Sequence, residues 1–183
     1  TLLKIFVPLY FPIPSIRSTI FKQFCGGESI EGCKNSIEKL GSANIKTILD
    51  YSVEGKEEEV VFDANVKETI KAIETAKGDD KIPFSVFKPT GFGRFDLLAK
   101  LNANKKLTAD ETEEFNRVKN RIAEICAKAA ELNVPVFIDA EESWIQDTID
   151  QISLDMMRKF NTSKVVIYNT AQMYRKDRLA YLK

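Results

Sequence analysis

Apolar residues fall along this chain in two alternating rhythms. Four short runs, Ile45–Leu49, Ile82–Phe87, Val134–Ile138 and Val165–Tyr168, are rich in β-branched and aromatic side chains and are bounded by polar segments. That is the pattern of strands. Two of the runs are nearly continuous in apolarity, which suits strands buried on both faces of a parallel sheet. Between the runs, apolar positions recur three and four residues apart: Val66, Ile70 and Ile73; Phe115, Val118, Ile122, Ile125, Ala129 and Leu132; Ile145, Ile149, Ile152 and Met156. Each set is the stripe of a helix packed on one side. Thr108 with Glu111 forms a capping-box signature just before the longest stripe. The pattern therefore predicts α/β structure, with parallel strands near 45–50, 82–88, 134–139 and 164–169, adjacent in that order. Helices cover the outer side through right-handed crossovers. Residues 94–110 read as an insertion in the second βα unit. No low-complexity linker divides the chain. A helical arm over 1–44 precedes about four βα units over 45–183. The final RKDRLAYLK has no glycine stop signal, so the chain is expected to end in the first turns of the fourth helix, inside a domain.

Each predicted strand runs into a polar residue and a loop: Asp50, Lys88, Asp139 and Asn169, at intervals of 38, 51 and 30 residues. In parallel α/β architectures, ligands bind at the carboxyl ends of the strands. Four polar side chains are thus expected at one end of the sheet, bordering one cavity. Lys88 offers a point cation suited to a carboxylate. Asp139 offers an anion for Lys88 or for a cationic amine, and such pairs shift pKa values at active sites. The same pair also reads as a plain structural ion pair. A metal on Asp139-Ala-Glu-Glu is disfavoured, because adjacent strand residues point to opposite faces. The two glycines of Pro89–Arg94 lack the third glycine of a dinucleotide fingerprint and the GK[ST] of a P-loop, so a turn is expected. Trp144 reads equally as a pocket wall or as packing, and Cys126 as a packed thiol.

Composition narrows the chemistry. The 183 residues carry 27 basic and 27 acidic side chains, a formal net charge of zero, which argues against nucleic acid as a partner. The absence of histidine removes Ser-His-Asp triads and His-ligated zinc, and no metal site is expected. Three cysteines without a CxxC pair fit reduced thiols. The apolar start, TLLKIFVPLYFPIPSI, is broken by three prolines and is short of a membrane span. It reads as a packed arm, with a shallow membrane-surface contact as the sharper alternative.

The segments TIFKQFCGGES (19–29), ILDYSVEGKE (48–57), FKPTGFGRF (87–95), FIDAEESWIQD (137–147) and IYNTAQMYRKDRL (167–179) resemble, in order, the N-terminal half of proline dehydrogenase. Single-function bacterial and mitochondrial members are the most similar. DAEESWIQ is the most specific motif. The resemblance implies the first half of a distorted (β/α)8 barrel, an FAD cofactor, and oxidation of L-proline to Δ1-pyrroline-5-carboxylate on the route to glutamate. It also implies a quinone as electron acceptor. Lys88 matches the lysine that engages the proline carboxylate, and Asp139 the aspartate beside the substrate. Ala140 matches a position whose backbone faces FAD, Asn169 a strand-end amide near the flavin ring, and Gln172 a second contact there. Glu54 matches a gate glutamate that pairs with an arginine of the barrel's last helix. Position 171 is Ala where relatives carry a larger residue. The resemblance places the protein in a bacterial cytoplasm, peripheral to the inner membrane, or in a mitochondrion if eukaryotic; the bacterial option is favoured because nothing like a transit peptide is visible. The arginines and phosphate-binding strands of the other half-barrel are missing, so these residues alone are expected to be inactive. Two other readings stay open: a non-catalytic half-barrel used in assembly, and a different barrel enzyme with Lys88 as a Schiff-base nucleophile.

Overall fold

The computed structural model describes residues 19, 21, 25–27, 29–50 and 57–183. Glu54 and the apolar start over 1–16 lie outside the described residues. The chain divides into two units, Thr1–Lys46 and Thr47–Lys183.

In the first unit, Ser29 starts helix α1 (Ile30–Ser42) by accepting the Gly32 N–H at 3.1 Å. This satisfies one of the donors that every helix start leaves open. The helix closes through Asn44 in the left-handed region (φ 59°) and a bond from the Ile45 N–H to the Leu40 carbonyl.

The second unit runs β1 (Ile48–Asp50), α2 (Glu59–Ala76), β2 (Phe84–Phe87), a 3-10 turn (Pro89–Gly91), α3 (Phe95–Asn102), α4 (Ala109–Leu132), β3 (Val136–Ile138), α5 (Gln146–Phe160), β4 (Ile167–Asn169) and α6 (Arg178–Tyr181). The strands form one parallel sheet in the order β1-β2-β3-β4. The four apolar runs thus supply the strands, adjacent as expected. β1 begins later than its run because Ile45 closes α1, while Thr47 donates its N–H and its hydroxyl to the Lys81 carbonyl at 2.8 and 3.1 Å.

The 94–110 segment is more than an insertion. It holds α3, whose Leu97 and Leu98 are buried. The Asn102 side-chain oxygen accepts the N–H groups of Asp147 and Thr148 at 2.8 and 3.2 Å. It thereby caps α5, which has no side-chain cap of its own. The expected capping box forms at α4: the Glu111 N–H reaches the Thr108 hydroxyl at 3.2 Å, and the Thr108 N–H reaches the Glu111 carboxylate at 2.7 Å. Asn133, at φ 54°, terminates that helix.

The sheet buries one face rather than two. Phe87, Val136, Ile138 and Ile167 point to the helices and are fully buried, with Val118, Ile122, Ile125 and Ile149 on the helix side. Full burial of such a side chain contributes roughly 1.5–3 kcal/mol. The opposite face is half-buried and aromatic. Phe84 and Phe137 stack at 4.6 Å, and Tyr168 packs against both at 5.9 and 5.6 Å. Ile48 on the same face is 47% exposed. Cys126 lies buried in α4, where burial pushes its thiol pKa up to about 12.

Of the two glycines after β2, Gly93 is held to glycine by packing. A Cβ on Gly93 would lie 2.3 Å from a Val118 methyl of α4. Gly93→Ala is therefore expected to destabilise the fold by roughly 1–3 kcal/mol through overpacking. Denaturant unfolding of Gly93→Ala beside Gly93→Ala/Val118→Ala checks this. The double variant should recover part of the loss, and an unchanged midpoint in the single variant would contradict the contact.

Candidate active site

Side chains alternate along a strand, so register decides what meets at its end. Val86 pairs with Phe137, and Phe137 with Tyr168, all on the aromatic face. Two residues further, the same face carries Lys88, Asp139 and Thr170. Asp50 stands opposite Val86 and also faces this side. The Lys88 ammonium lies 3.4 Å from Asp50 and 3.5 Å from Asp139. All three side chains are about one-third exposed, at 33%, 39% and 34%. Burial works against the Lys88 ammonium, but the two carboxylates outweigh it and raise its pKa above the ordinary lysine value. A Schiff-base lysine needs the opposite shift.

Asp50 and Asp139 border a cavity of about 400 Å³, with Ile48, Val86, Phe137 and Thr170 as its other walls. Three of the four strand-end residues named from the sequence therefore converge. The fourth does not. Asn169 pairs with Ile138 in register and lies on the helix side, where its amide donates to Asp150 and to the Tyr181 hydroxyl, both at 3.0 Å. Thr170 takes the place expected of it.

Behind the cavity stands a buried polar network. The Gln146 amide bridges the Glu141 N–H and the Asp150 carboxylate, each at 2.8 Å. Asp150 also pairs with Arg178, whose guanidinium lies 4.7 Å from the Tyr181 ring centre. The Glu141 carboxylate accepts both the N–H (3.0 Å) and the hydroxyl of Thr90. Burial raises the Glu141 pKa, against those two bonds. The Ala140 N–H is held by the Asp139 carboxylate at 2.9 Å. Gln172 is 9% exposed; its amide N–H donates to the Glu141 carbonyl, while its Oε1 has no partner among the described residues. The DAEESWIQD segment thus builds the loop that carries Asp139, a role that sequence reasoning missed. Trp144, 60% exposed, is neither core nor a wall of this cavity.

The loop after Lys88 is fixed from both sides. Asn65 of α2 donates to the Gly91 carbonyl at 2.8 Å, and Arg121 of α4 to the Phe92 carbonyl at 3.2 Å. Among the described residues no acidic or cysteine cluster could hold a metal ion. The aromatic side chains of this face and the unpartnered Gln172 oxygen suit the ring end of a planar heteroaromatic cofactor.

Residues 33–183 match the family model described as Proline dehydrogenase. The chain is 34% identical over 171 residues to the carbapenem antibiotics biosynthesis protein CarD of Pectobacterium carotovorum subsp. carotovorum, covering 93% of this chain and 46% of that protein. It is 29% identical over 202 residues to the mitochondrial proline dehydrogenase 1 of Arabidopsis thaliana, covering 88% and 40%. The Dictyostelium discoideum mitochondrial proline dehydrogenase 1 is 28% identical over 207 residues, covering 92% and 36%. The chain spans less than half the length of these curated relatives. The crystal structure of proline utilization A (PutA) from Bdellovibrio bacteriovorus inactivated by N-propargylglycine superposes with a TM-score of 0.73 at 16% identity, over 93% of this chain and 19% of that one. At that identity the likeness is one of fold. No helix among the described residues is long and apolar enough to cross a membrane.

Proposed function

The chain belongs to the proline dehydrogenase family, and from that premise we propose that the cavity at its strand ends is the L-proline site of a flavin-dependent oxidoreductase. One observation carries the reading. An ammonium has three N–H donors. Lys88 turns toward two carboxylates at the rim of the cavity, leaving a third donor for a substrate carboxylate. Asp139 then faces the ring nitrogen, holds it as an ammonium, and is placed to take its proton. Ile48, Val86 and Phe137 offer an apolar wall to the ring methylenes.

FAD, when bound, supplies the hydride acceptor. The aromatic face, the Ala140 backbone and Gln172 would hold its ring end. Asn169 would act through the loop it anchors. The product of this reading is Δ1-pyrroline-5-carboxylate. The electrons pass to a quinone, which calls for peripheral contact with the inner membrane in a bacterium or a mitochondrial setting in a eukaryote. The four βα units form the first half of a (β/α)8 barrel, with Glu54 gating the site. These 183 residues by themselves are expected to be inactive.

The test uses the full-length protein encoded by the gene. A flavin absorbance band near 450 nm, L-proline-dependent dye reduction and capture of the pyrroline product would support the reading. A folded full-length protein without flavin would favour the non-catalytic assembly module. The likeness to the carbapenem biosynthesis protein favours a second destination for the same product. Normal growth of a gene deletion on proline as nitrogen source would point to biosynthesis rather than catabolism.

A further inference from the structure

Two residues past Lys88 stands Thr90, and two residues past Asp139 stands Glu141. The last ladder bond between β2 and β3 runs from the Asp139 N–H to the Phe87 carbonyl at 2.9 Å. Beyond it, Glu141 takes both donors of Thr90. Lys88 and Asp139 therefore lie between two cross-links, a backbone bond on one side and a carboxylate bond on the other. Glu141 is further tied at both ends of its own peptide. Its N–H goes to Gln146 at the start of α5, and its carbonyl receives Gln172 from the loop after β4. A carboxylate bonded to two donors of one residue is directional as well as strong.

We infer that Glu141 is a positioning residue that clips the loops after β2 and β3 together and so sets the spacing of Lys88 and Asp139. The inference rests on the proline reading only for its kinetic consequence. Catalytic geometry is sensitive to displacements of about 1 Å. Loss of the clip lets Lys88 swing away from the carboxylates, which weakens substrate binding without touching the apolar wall. Burial disfavours the Glu141 carboxylate, and the Thr90 bonds hold it.

The experiment uses the full-length protein and the variants Glu141→Leu, Glu141→Gln, Thr90→Val and Thr90→Val/Glu141→Leu. The first readout is the rate at which a water-soluble acetylating reagent modifies Lys88, relative to Lys119 on α4, followed by mass spectrometry. Glu141→Leu should raise that ratio severalfold and Thr90→Val less, with the double variant no higher than Glu141→Leu. Glu141→Gln, which keeps one acceptor oxygen, should fall between wild type and Glu141→Leu. The second readout is kinetic: KM for L-proline should rise by about tenfold in Glu141→Leu, more than kcat falls, at unchanged flavin content. An unchanged acetylation ratio in a folded variant, or losses that multiply in the double variant, would overturn the clip. If Glu141→Leu does not fold, Thr90→Val carries the same comparison. Absence of proline oxidation in the wild type would sink the proline reading, while the acetylation ratio would still decide the clip.

Discussion

Replacing Lys88 with methionine in the full-length enzyme is expected to lower kcat/KM for L-proline by about 10- to 100-fold. A hydrogen bond from a charged donor contributes roughly 1.5–3 kcal/mol, and each 1.4 kcal/mol is about a factor of ten in rate. The variant should fold and bind flavin. Asp50 and Asp139 keep contact with water, each more than a third exposed, so losing the shared cation costs little stability. Lys88→Arg should restore activity only in part. Its planar fork would meet both aspartates and leave no compact point charge at the rim. Steady-state kinetics with flavin content measured in parallel decide the matter. Near-normal kcat/KM in Lys88→Met would remove Lys88 from the substrate site, and loss of flavin would reassign it to the cofactor.

The largest loss of stability is expected at Arg178, in the buried polar network of the sheet unit. Arg178 and Asp150 are both 4% exposed. The guanidinium bonds Asp177 at 2.6 Å and Asp150. The Asp177 bonds, followed by those to Asp150, raise the Arg178 pKa against the cost of burial. Arg178→Met leaves the Asp150 carboxylate buried with only the amides of Gln146 and Asn169. Breaking a buried pair from one side typically costs about 3–5 kcal/mol. Adding Asp150→Asn should recover a good part of that, because the stranded charge is then gone. Denaturant unfolding of the single and double variants tests this. A loss below about 1 kcal/mol in Arg178→Met, or a double variant weaker than the single, would contradict the role given to the pair.

How far the sequence carried the fold varies by element. The strand runs were legible because β-branched and aromatic residues cluster between polar segments, as in Ile82–Phe87. The α4 helix was legible because its stripe and its Thr108–Glu111 cap agree. Helix α3 was not, since eight residues give barely two turns of periodicity. Its Asn102 acts at a distance, capping a helix some 45 residues later, and no local pattern reveals that. Lys88 and Asp139 were found from residue type at strand ends. Asn169 was placed on the wrong face because polarity, not the pleat, chose it. A slip of one residue reverses the face, and counting on from Tyr168 leads to Thr170. The same bias hid Glu141, read as a failed metal ligand. Its partner Thr90 lies 51 residues away in sequence.

The depth of Cys126 gives the protein a built-in clock. Its thiol is fully buried within α4, and burial pushes its pKa up to about 12, so in the closed state it offers neither access nor thiolate. A thiol reagent can consume it only during excursions that expose α4. Cys25 is exposed and Cys33 half-buried, so both report on the first unit. Timed alkylation read by peptide mass would then separate loosening of the arm from opening of the sheet unit, in native buffer and without a label. Any ligand that seats at the strand ends would announce itself as a slowing of the Cys126 reaction alone.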